Sequence, residues 1–290
     1  MDEITQIMNN IIQIQSHQIN EINKNNQAIL KILSQINNIL KELERKYDLI
    51  HKKKGKKCSV NGNIYEKKIY NVIKNVKFNH NKFTIQKEAD LAGSSCNNDL
   101  ECILDNKIIG IEAKKFNTPD WMQCSLKYSN GVWTGSKKGK IPEVSRNIFN
   151  NLLKNIPLFN GKIPPFINKK YTHKQWISIK KKTNDWDDNY IDIPNDTIKN
   201  IYKAKGCYYI QISEYGLYHL GDDIYKFNVP EFIINQEMRV RTKIHTTKDK
   251  NGFCSLSVTA ACKTKNITQL TKSQYSLDNI KKLPKSLIIV

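Results

Sequence analysis

The chain has 290 residues, which is enough for one large domain or two small ones with a sizeable core. Its formal net charge of +20 favours an anionic partner, with nucleic acid ahead of an acidic membrane surface. The lysine excess has a second explanation, because Ile, Asn and Lys crowd the whole chain, as AT-rich codon usage alone would produce.

Hydropathy and cysteine content exclude several classes of protein. No apolar run approaches the ~20 residues that a membrane-spanning helix needs, and the N-terminus is polar rather than signal-like. The seven cysteines are odd in number and never spaced as CxxC, which argues against a zinc site or a disulfide framework. Free thiols indicate a reducing compartment. The sequence therefore predicts a soluble, intracellular protein, in the cytoplasm or wherever its partner lies, without membrane association.

Residues 1–50 contain neither Pro nor Gly and repeat apolar residues at helical spacing. One heptad register has mainly apolar a and d positions, namely Met8, Ile22, Ile29, Ile36, Leu43 and Ile50 at a, and Ile4, Ile11, Ile32 and Ile39 at d. Polar residues interrupt this seam at Gln15, Gln18 and Asn25. We predict a coiled coil that makes the chain a homo-oligomer. The alternative is a single amphipathic helix that folds back onto the rest of the chain.

The remaining sequence predicts a linker and a mixed α/β fold. Residues 51–62 place five lysines around Gly55, which is typical of a solvated basic linker. Residues 63–167 form the expected α/β core, with helices at 63–76 and 142–153, a strand at 82–89 and a hairpin at 99–113. Residues 168–290 are expected to be β-rich, with strands at 175–180, 206–213, 216–220, 238–246 and 253–263.

The predicted hairpin gathers charged residues on one face. Asp105 and Asn106 suit a two-residue turn with positive φ, and this register sets Asp99 opposite Glu112. A three-residue turn would shift the register by one. Alternation then sorts the side chains into a core face with Leu100, Cys102, Leu104, Ile109, Ile111 and Ala113, and a polar face with Asp99, Glu101, Glu112 and Lys114.

The opposed acids Asp99 and Glu112 require a physical explanation. Directly opposed side chains have Cβ atoms ~4.5–5.5 Å apart, where like charges destabilise the pair, so a cation between them is expected. Mg²⁺ takes carboxylate oxygens and keeps several waters. Lys114, on the same face, is placed to orient an attacking water or to neutralise a developing phosphate charge. Gly110 leaves a gap that a substrate backbone could enter. The alternative is a solvated face with a Glu112–Lys114 surface pair.

An acid on one strand followed by Glu-x-Lys on the next resembles the motif of the PD-(D/E)XK nucleases, which include most type II restriction endonucleases. The resemblance covers roughly residues 60–130 and places Asp99, Glu112 and Lys114 at the three motif positions. Glu66 lies where many members carry an additional acid, whereas Asn98 stands where the motif name expects Pro. The resemblance implies a restriction endonuclease-like mixed sheet flanked by helices. It also implies Mg²⁺ bound by Asp99 and Glu112, and hydrolysis of phosphodiester bonds in double-stranded DNA.

Three assignments in this region stay open. Glu101 shares a face with Asp99 and is the rival first metal ligand. Glu66 lies three residues after Asn63, as in a capping box, in which the acid would only satisfy backbone donors at the start of a helix. Gln123 belongs to a helix predicted after Pro119 and is either a further site residue or a surface glutamine.

Arginine is rare, with four among the 47 basic residues. Arg239, Arg241 and Lys243 share one face of the predicted strand at 238–246, and such a face can contact phosphates or guanine edges. The alternative is an edge strand protected by charge. We expect residues 168–290 to recognise DNA. A sequence-specific type II restriction endonuclease is favoured over a structure-specific or repair nuclease of the same fold and over a non-catalytic oligomeric DNA-binding protein.

Overall fold

The computed structural model describes residues 2–78, 81–82, 84–85, 98–104, 107–138 and 141–289. The chain divides into two compact units, Met1–Cys58 and Ser59–Val290. Among the described residues, no helix is both long enough and apolar enough to cross a membrane.

Helix α1 spans Asp2–Ile73 and confirms the helix predicted for residues 1–50. Its seam residues are about half exposed, with 53% of Ile29, 46% of Ile36 and 56% of Leu43 in solvent. The oligomer stays a prediction. The segment expected to be a basic linker, residues 51–62, is helical because α1 continues through it, and the helix start expected at Asn63 is therefore wrong. A single glycine costs a helix only ~1 kcal/mol relative to alanine, and lysine is a good helix former.

The second unit combines short helices with many strands. The helices are α2 (Glu143–Leu153), α3 (His173–Lys182) and α4 (Thr197–Lys203), with 3-10 turns at Leu158–Gly161, Pro165–Ile167, Ile267–Gln269 and Ile280–Lys282. The strands are β1 (Val76–Phe78), β2 (Asn81–Lys82), β3 (Thr84–Ile85), β4 (Leu100–Leu104), β5 (Lys107–Lys114), β6 (Met122–Ser129), β7 (Val132–Gly135), β8 (Asn189–Ile193), β9 (Cys207–Ile212), β10 (Gly216–His219), β11 (Gln236–Lys248), β12 (Cys254–Thr264) and β13 (Leu287–Ile289). The chain is therefore mixed α/β, as predicted.

The described strands form three sheets. The central sheet has the order β10-β9-β5-β4-β3, the outer sheet β7-β6-β12-β11-β8, and a small sheet β13-β1-β2. The central sheet is mixed, because β5 and β9 run parallel while its other pairs are antiparallel. Since β9 and β10 complete the sheet that β3–β5 begin, the parts expected at 63–167 and 168–290 share one compact unit.

Each face of the central sheet belongs to its own buried cluster. On one face, Leu100, Ile109 and Ile111 pack with Ile69 and Ile73 from the end of α1. On the other face, the second cluster joins β9 and β10 to α4 and to the outer sheet. Polar side chains that point from β5 into this second side are therefore enclosed by protein.

Several local predictions are confirmed and two are wrong. The helix at 142–153, the hairpin and the strands at 206–213, 216–220, 238–246 and 253–263 are present. The strand expected at 175–180 is part of α3, where Thr172 and Gln175 form a capping box that satisfies the first backbone donors. The helix expected after Pro119 is strand β6, whose alternating burial fits a sheet. Residues 83 and 86–89 of the strand predicted at 82–89, and the turn at 105–106, lie outside the described residues.

Candidate active site

The register of the β4–β5 hairpin brings the predicted site residues together. Leu100 pairs with Ile111 and Glu101 with Gly110, as the two-residue turn predicts. Asp99, directly before β4, accepts a hydrogen bond from the backbone N–H of Ala113 at 2.9 Å. The Asp99 carboxylate is thereby fixed at the end of β5, between the positions of Glu112 and Lys114.

The cation between the two acids is the ammonium group of Lys114. Its Nζ lies 3.2 Å from Oδ2 of Asp99, 2.5 Å from Oε1 of Glu112 and 3.3 Å from the carbonyl oxygen of Ala113. The exposed fractions of the Asp99, Lys114 and Glu112 side chains are 19%, 14% and 2%. The alternative of a solvated face with a surface ion pair is therefore wrong.

A second lysine, Lys205, completes the site from the turn after α4. Its Nζ donates to Oε2 of Glu112 at 2.8 Å, and both side chains are only 2% exposed. The Cys207 thiol lies 3.8 Å from the same oxygen. The ring centre of Tyr202 is 5.5 Å from Nζ of Lys114 and 5.4 Å from Nζ of Lys205, so the aromatic face adds to their stabilisation.

Sequence reasoning missed Lys205, Tyr202 and Cys207. They lie about 90 residues beyond the hairpin and reach it only because β9 runs parallel to β5. The sequence did contain one signal. If the strand predicted at 206–213 pairs beside β5, the residues at the start of that strand lie at the polar face of the hairpin.

The gap expected at Gly110 is filled by protein. A Cβ atom at this position would lie 2.5 Å from the carbonyl oxygen of Gly206 and 2.6 Å from Cγ of Asn98. The Gly110 N–H also donates to that carbonyl at 3.1 Å. Glycine is thus required for close packing of the turn that carries Lys205, and the expectation of substrate access there is wrong.

Opposite charges enclosed together shift the pKa values of the site. Burial opposes ionisation of Glu112, but the ammonium groups of Lys114 and Lys205 together hold its pKa below the usual range. Burial and the Glu112 charge raise the pKa of Asp99. Although burial acts against it, the carboxylates of Asp99 and Glu112 raise the pKa of Lys114. Between the two acids, Glu112 is therefore the one whose ionised form is favoured, and the charged form of Lys114 is favoured with it.

Glu66 and Glu101 lie in different surroundings. Glu66 lies inside α1, so Asn63 is not an N-cap and the capping-box explanation is wrong. Burial and the Asp99 charge raise the pKa of Glu66 to about 7, which puts its half-buried carboxyl group within the electrostatic field of the site. Glu101 instead accepts a hydrogen bond from Asn98 at 3.3 Å. The contacts around Lys114 thus favour Asp99 over Glu101.

The oxygen atoms around Lys114 are of the chemical types that bind Mg²⁺. Within the described ranges, no group of three or more His, Cys, Asp or Glu side chains is arranged to hold a metal ion. The donors around the Lys114 ammonium are two carboxylates and one backbone carbonyl. Mg²⁺ prefers oxygen donors, commonly uses one or two carboxylates and keeps several waters. These residues match that preference if the Lys114 ammonium group moves away from the two carboxylates and the carbonyl oxygen.

The residues expected to bind DNA have different surroundings. Arg239 and Arg241 both form ion pairs with the buried carboxylate of Asp120, and Arg239 also approaches Asp188 at 3.5 Å. Lys243, on the same strand, is exposed. Strand β11 pairs with β12 along its length but with β8 only as far as Val240, so its later part is an edge of the sheet. DNA contact by these residues stays a prediction, and Lys243 is the most accessible of them.

Comparison with known proteins adds no relative. A scan against protein-family models, a search of curated proteins and a search of solved structures all find no match.

Proposed function

We propose that this chain is a Mg²⁺-dependent endonuclease that hydrolyses phosphodiester bonds in double-stranded DNA. The observation that carries the proposal is the convergence of Asp99, Glu112 and Lys114 at the end of the hairpin, with the contacts described above. These are the three positions of the PD-(D/E)XK motif. Enclosing two acids and a lysine at the end of two strands is costly, and perturbed charged groups of this kind cluster at functional sites.

Asp99, Glu112 and the carbonyl group of Ala113 are the groups that would hold Mg²⁺. When bound, the ion supplies a Lewis acid for the phosphate and lowers the pKa of a water molecule. Glu112 is suited to this role because its lowered pKa keeps it ionised at neutral pH. We further propose the restriction endonuclease-like fold that the motif implies, and the mixed central sheet, covered on one face by the end of α1, supports this proposal.

Lys114 is the residue assigned to the reacting phosphate. Its raised pKa keeps the ammonium group charged, and its side chain is 14% exposed, so that it has a route toward solvent. Released from the two acids, the group has three N–H donors with which to orient the attacking water or stabilise charge on the phosphate oxygens. Lys114 thus stabilises the acids without metal and serves the substrate when the site is loaded.

A sequence-specific type II restriction endonuclease is the favoured kind of enzyme. Residues 168–290 provide the outer sheet strands β8, β11 and β12, beyond what the hairpin site itself needs. The net charge of +20 supports attraction of DNA at long range. On the basic face of β11, the exposed Lys243 is the proposed phosphate contact, because Arg239 and Arg241 already pair with Asp120.

The proposal is tested by incubating the purified chain with a large phage DNA and Mg²⁺. We expect cleavage into discrete fragments, and no cleavage when EDTA or Ca²⁺ replaces Mg²⁺. Cleavage confined to branched or flapped duplexes would favour the structure-specific nuclease. Tight DNA binding without cleavage under any divalent cation would contradict the proposal and favour the non-catalytic DNA-binding protein.

A further inference from the structure

Glu112 uses its two carboxylate oxygens for two different lysines. Oε1 faces Lys114 and therefore the side of Asp99, whereas Oε2 accepts from Lys205. The two contacts differ in surroundings, because the Lys114 side chain is 14% exposed and the Lys205 side chain 2%. The lysine on the Oε2 side is enclosed by protein.

The backbone around Lys205 is fixed to the central sheet. Its N–H donates to the carbonyl of Tyr202 at 2.9 Å, and the next residue, Gly206, has a φ of +85° and accepts from Gly110 of β5 at 3.1 Å. The Lys205 ammonium is thus tied to β5 by the same turn that needs glycine at position 110. Lys114 is at the last position of β5, next to the part of the site that solvent reaches.

This difference matters when Lys114 leaves Glu112. If Lys205 were absent, the Glu112 carboxylate, which is 2% exposed, would then be a buried, uncompensated charge, which is strongly unfavourable. Lys205 prevents that situation, because it remains on Oε2 after Oε1 is released. The same hydrogen bond fixes the rotation of the carboxylate, so that Oε1 stays directed toward Asp99.

We infer that Lys205 is a positioning residue that compensates the buried charge of Glu112 and aims its Oε1 at the cation position, which frees Lys114 for the substrate. This inference rests on the proposed function, since it concerns how a metal-binding carboxylate is held. Groups that hold a metal ligand from behind typically change metal affinity or activity 10- to 100-fold when they are removed.

The test is Mn²⁺ binding to the full chain without DNA, followed by electron paramagnetic resonance of the free ion. Lys205→Met should weaken binding about 10-fold or more, by analogy with other groups behind metal ligands. Lys205→Arg, which keeps the charge, should restore most of the affinity. Lys203→Met, two residues earlier and exposed, is the matched control and should bind as the wild type does. Lys205→Gln replaces Lys205→Met if the latter does not fold.

A kinetic readout separates positioning from catalysis. In Lys205→Met, the Mg²⁺ concentration for half-maximal cleavage should rise about 10-fold, while the rate at saturating Mg²⁺ stays within a few-fold of the wild-type rate. Unchanged or tighter Mn²⁺ binding in the variant, with normal binding in the wild type, would overturn this inference alone. If the wild-type chain bound no Mn²⁺, both the inference and the proposed function would be overturned.

Discussion

The ammonium group of Lys114 lies 2.5 Å from Oε1 of Glu112, and the two residues are two positions apart on the same strand. Alternation along β5 puts them on one face, and the enclosure of Glu112 makes the contact an ion pair inside the protein rather than on its surface. The lysine thus stands where the sequence suggested a metal ion. Metal binding at this place therefore requires Lys114 to move.

The first prediction concerns the stability of the charged cluster. Glu112→Ala leaves two enclosed ammonium groups, Lys114 and Lys205, without their shared partner, and breaking a buried pair costs ~3–5 kcal/mol. Asp99→Ala should cost less, because Lys114 keeps Glu112. Urea unfolding of both variants measures the difference, with Glu101→Ala as the control on the same hairpin. Equal losses for Glu112→Ala and Asp99→Ala would contradict this account of the cluster.

The second prediction concerns the pH dependence of stability. The pKa of Glu66 is about 7 in the folded chain, against 4.5 ordinarily, so the folded state binds more protons between these values. The contribution of Glu66 to the free energy of unfolding therefore falls as pH rises from 4.5 to 7. Glu66→Gln stays neutral and should gain stability over the wild type across that window.

Unfolding free energies of both chains at several pH values measure this effect. The difference should be small near pH 4.5 and largest above pH 7, where Glu66 is ionised. Glu101→Gln controls for the loss of one negative charge near the site. A constant difference between wild type and Glu66→Gln at every pH would show that Glu66 is not perturbed by its neighbours.

The third prediction separates the basic residues of β11. Lys243 is exposed, whereas Arg239 is already paired with Asp120 and Asp188. Each lost phosphate contact reduces the slope of log affinity against log salt by about 0.9. Lys243→Ala should therefore reduce the slope by about that amount, and Arg239→Ala should leave it unchanged. The slopes are measured by titrating each variant with duplex DNA at several salt concentrations, without Mg²⁺. Equal slopes for the two variants would contradict the different roles assigned to Lys243 and Arg239.

The fourth prediction concerns α1 as an assembly element. Its seam residues Ile29 and Ile36 are about half exposed in the single chain, and a second copy would cover them. The double variant Ile29→Glu and Ile36→Glu should reduce the molecular mass in light scattering to that of one chain. Ser34→Glu, outside the seam, should leave the mass unchanged. A wild-type mass of one chain would exclude the coiled-coil oligomer.

The hairpin site could be predicted because its determinants are local. Alternation and the two-residue turn fix which residue faces which, and the observed register agrees at Glu101 and Gly110. Asp99, Glu112 and Lys114 followed from that register. Lys205 did not, because its approach to Glu112 depends on the parallel pairing of β9 with β5 across some 90 residues.

The errors in the predicted secondary structure also arise where a local pattern does not determine the structure by itself. Trp176, Ile177 and Ile179 are residue types that favour a strand, but the capping box at Thr172 starts a helix there. Gly55 suggested a break, but a neighbouring run of helix-forming residues carries α1 through it. In both places the local pattern allowed two structures, and the surrounding segment decided between them.

The most direct test of the account compares two adjacent lysines in one cleavage assay. Lys114 contacts both acids, whereas Lys115 is the next residue along and would point to the opposite side. With saturating Mg²⁺ and duplex DNA, Lys114→Met should lose cleavage by at least about 100-fold, in the range for groups that stabilise developing charge. Lys115→Met should cleave at nearly the wild-type rate. Full activity in Lys114→Met, or loss in both variants alike, would contradict the assignment of Asp99, Glu112 and Lys114 as a nuclease site.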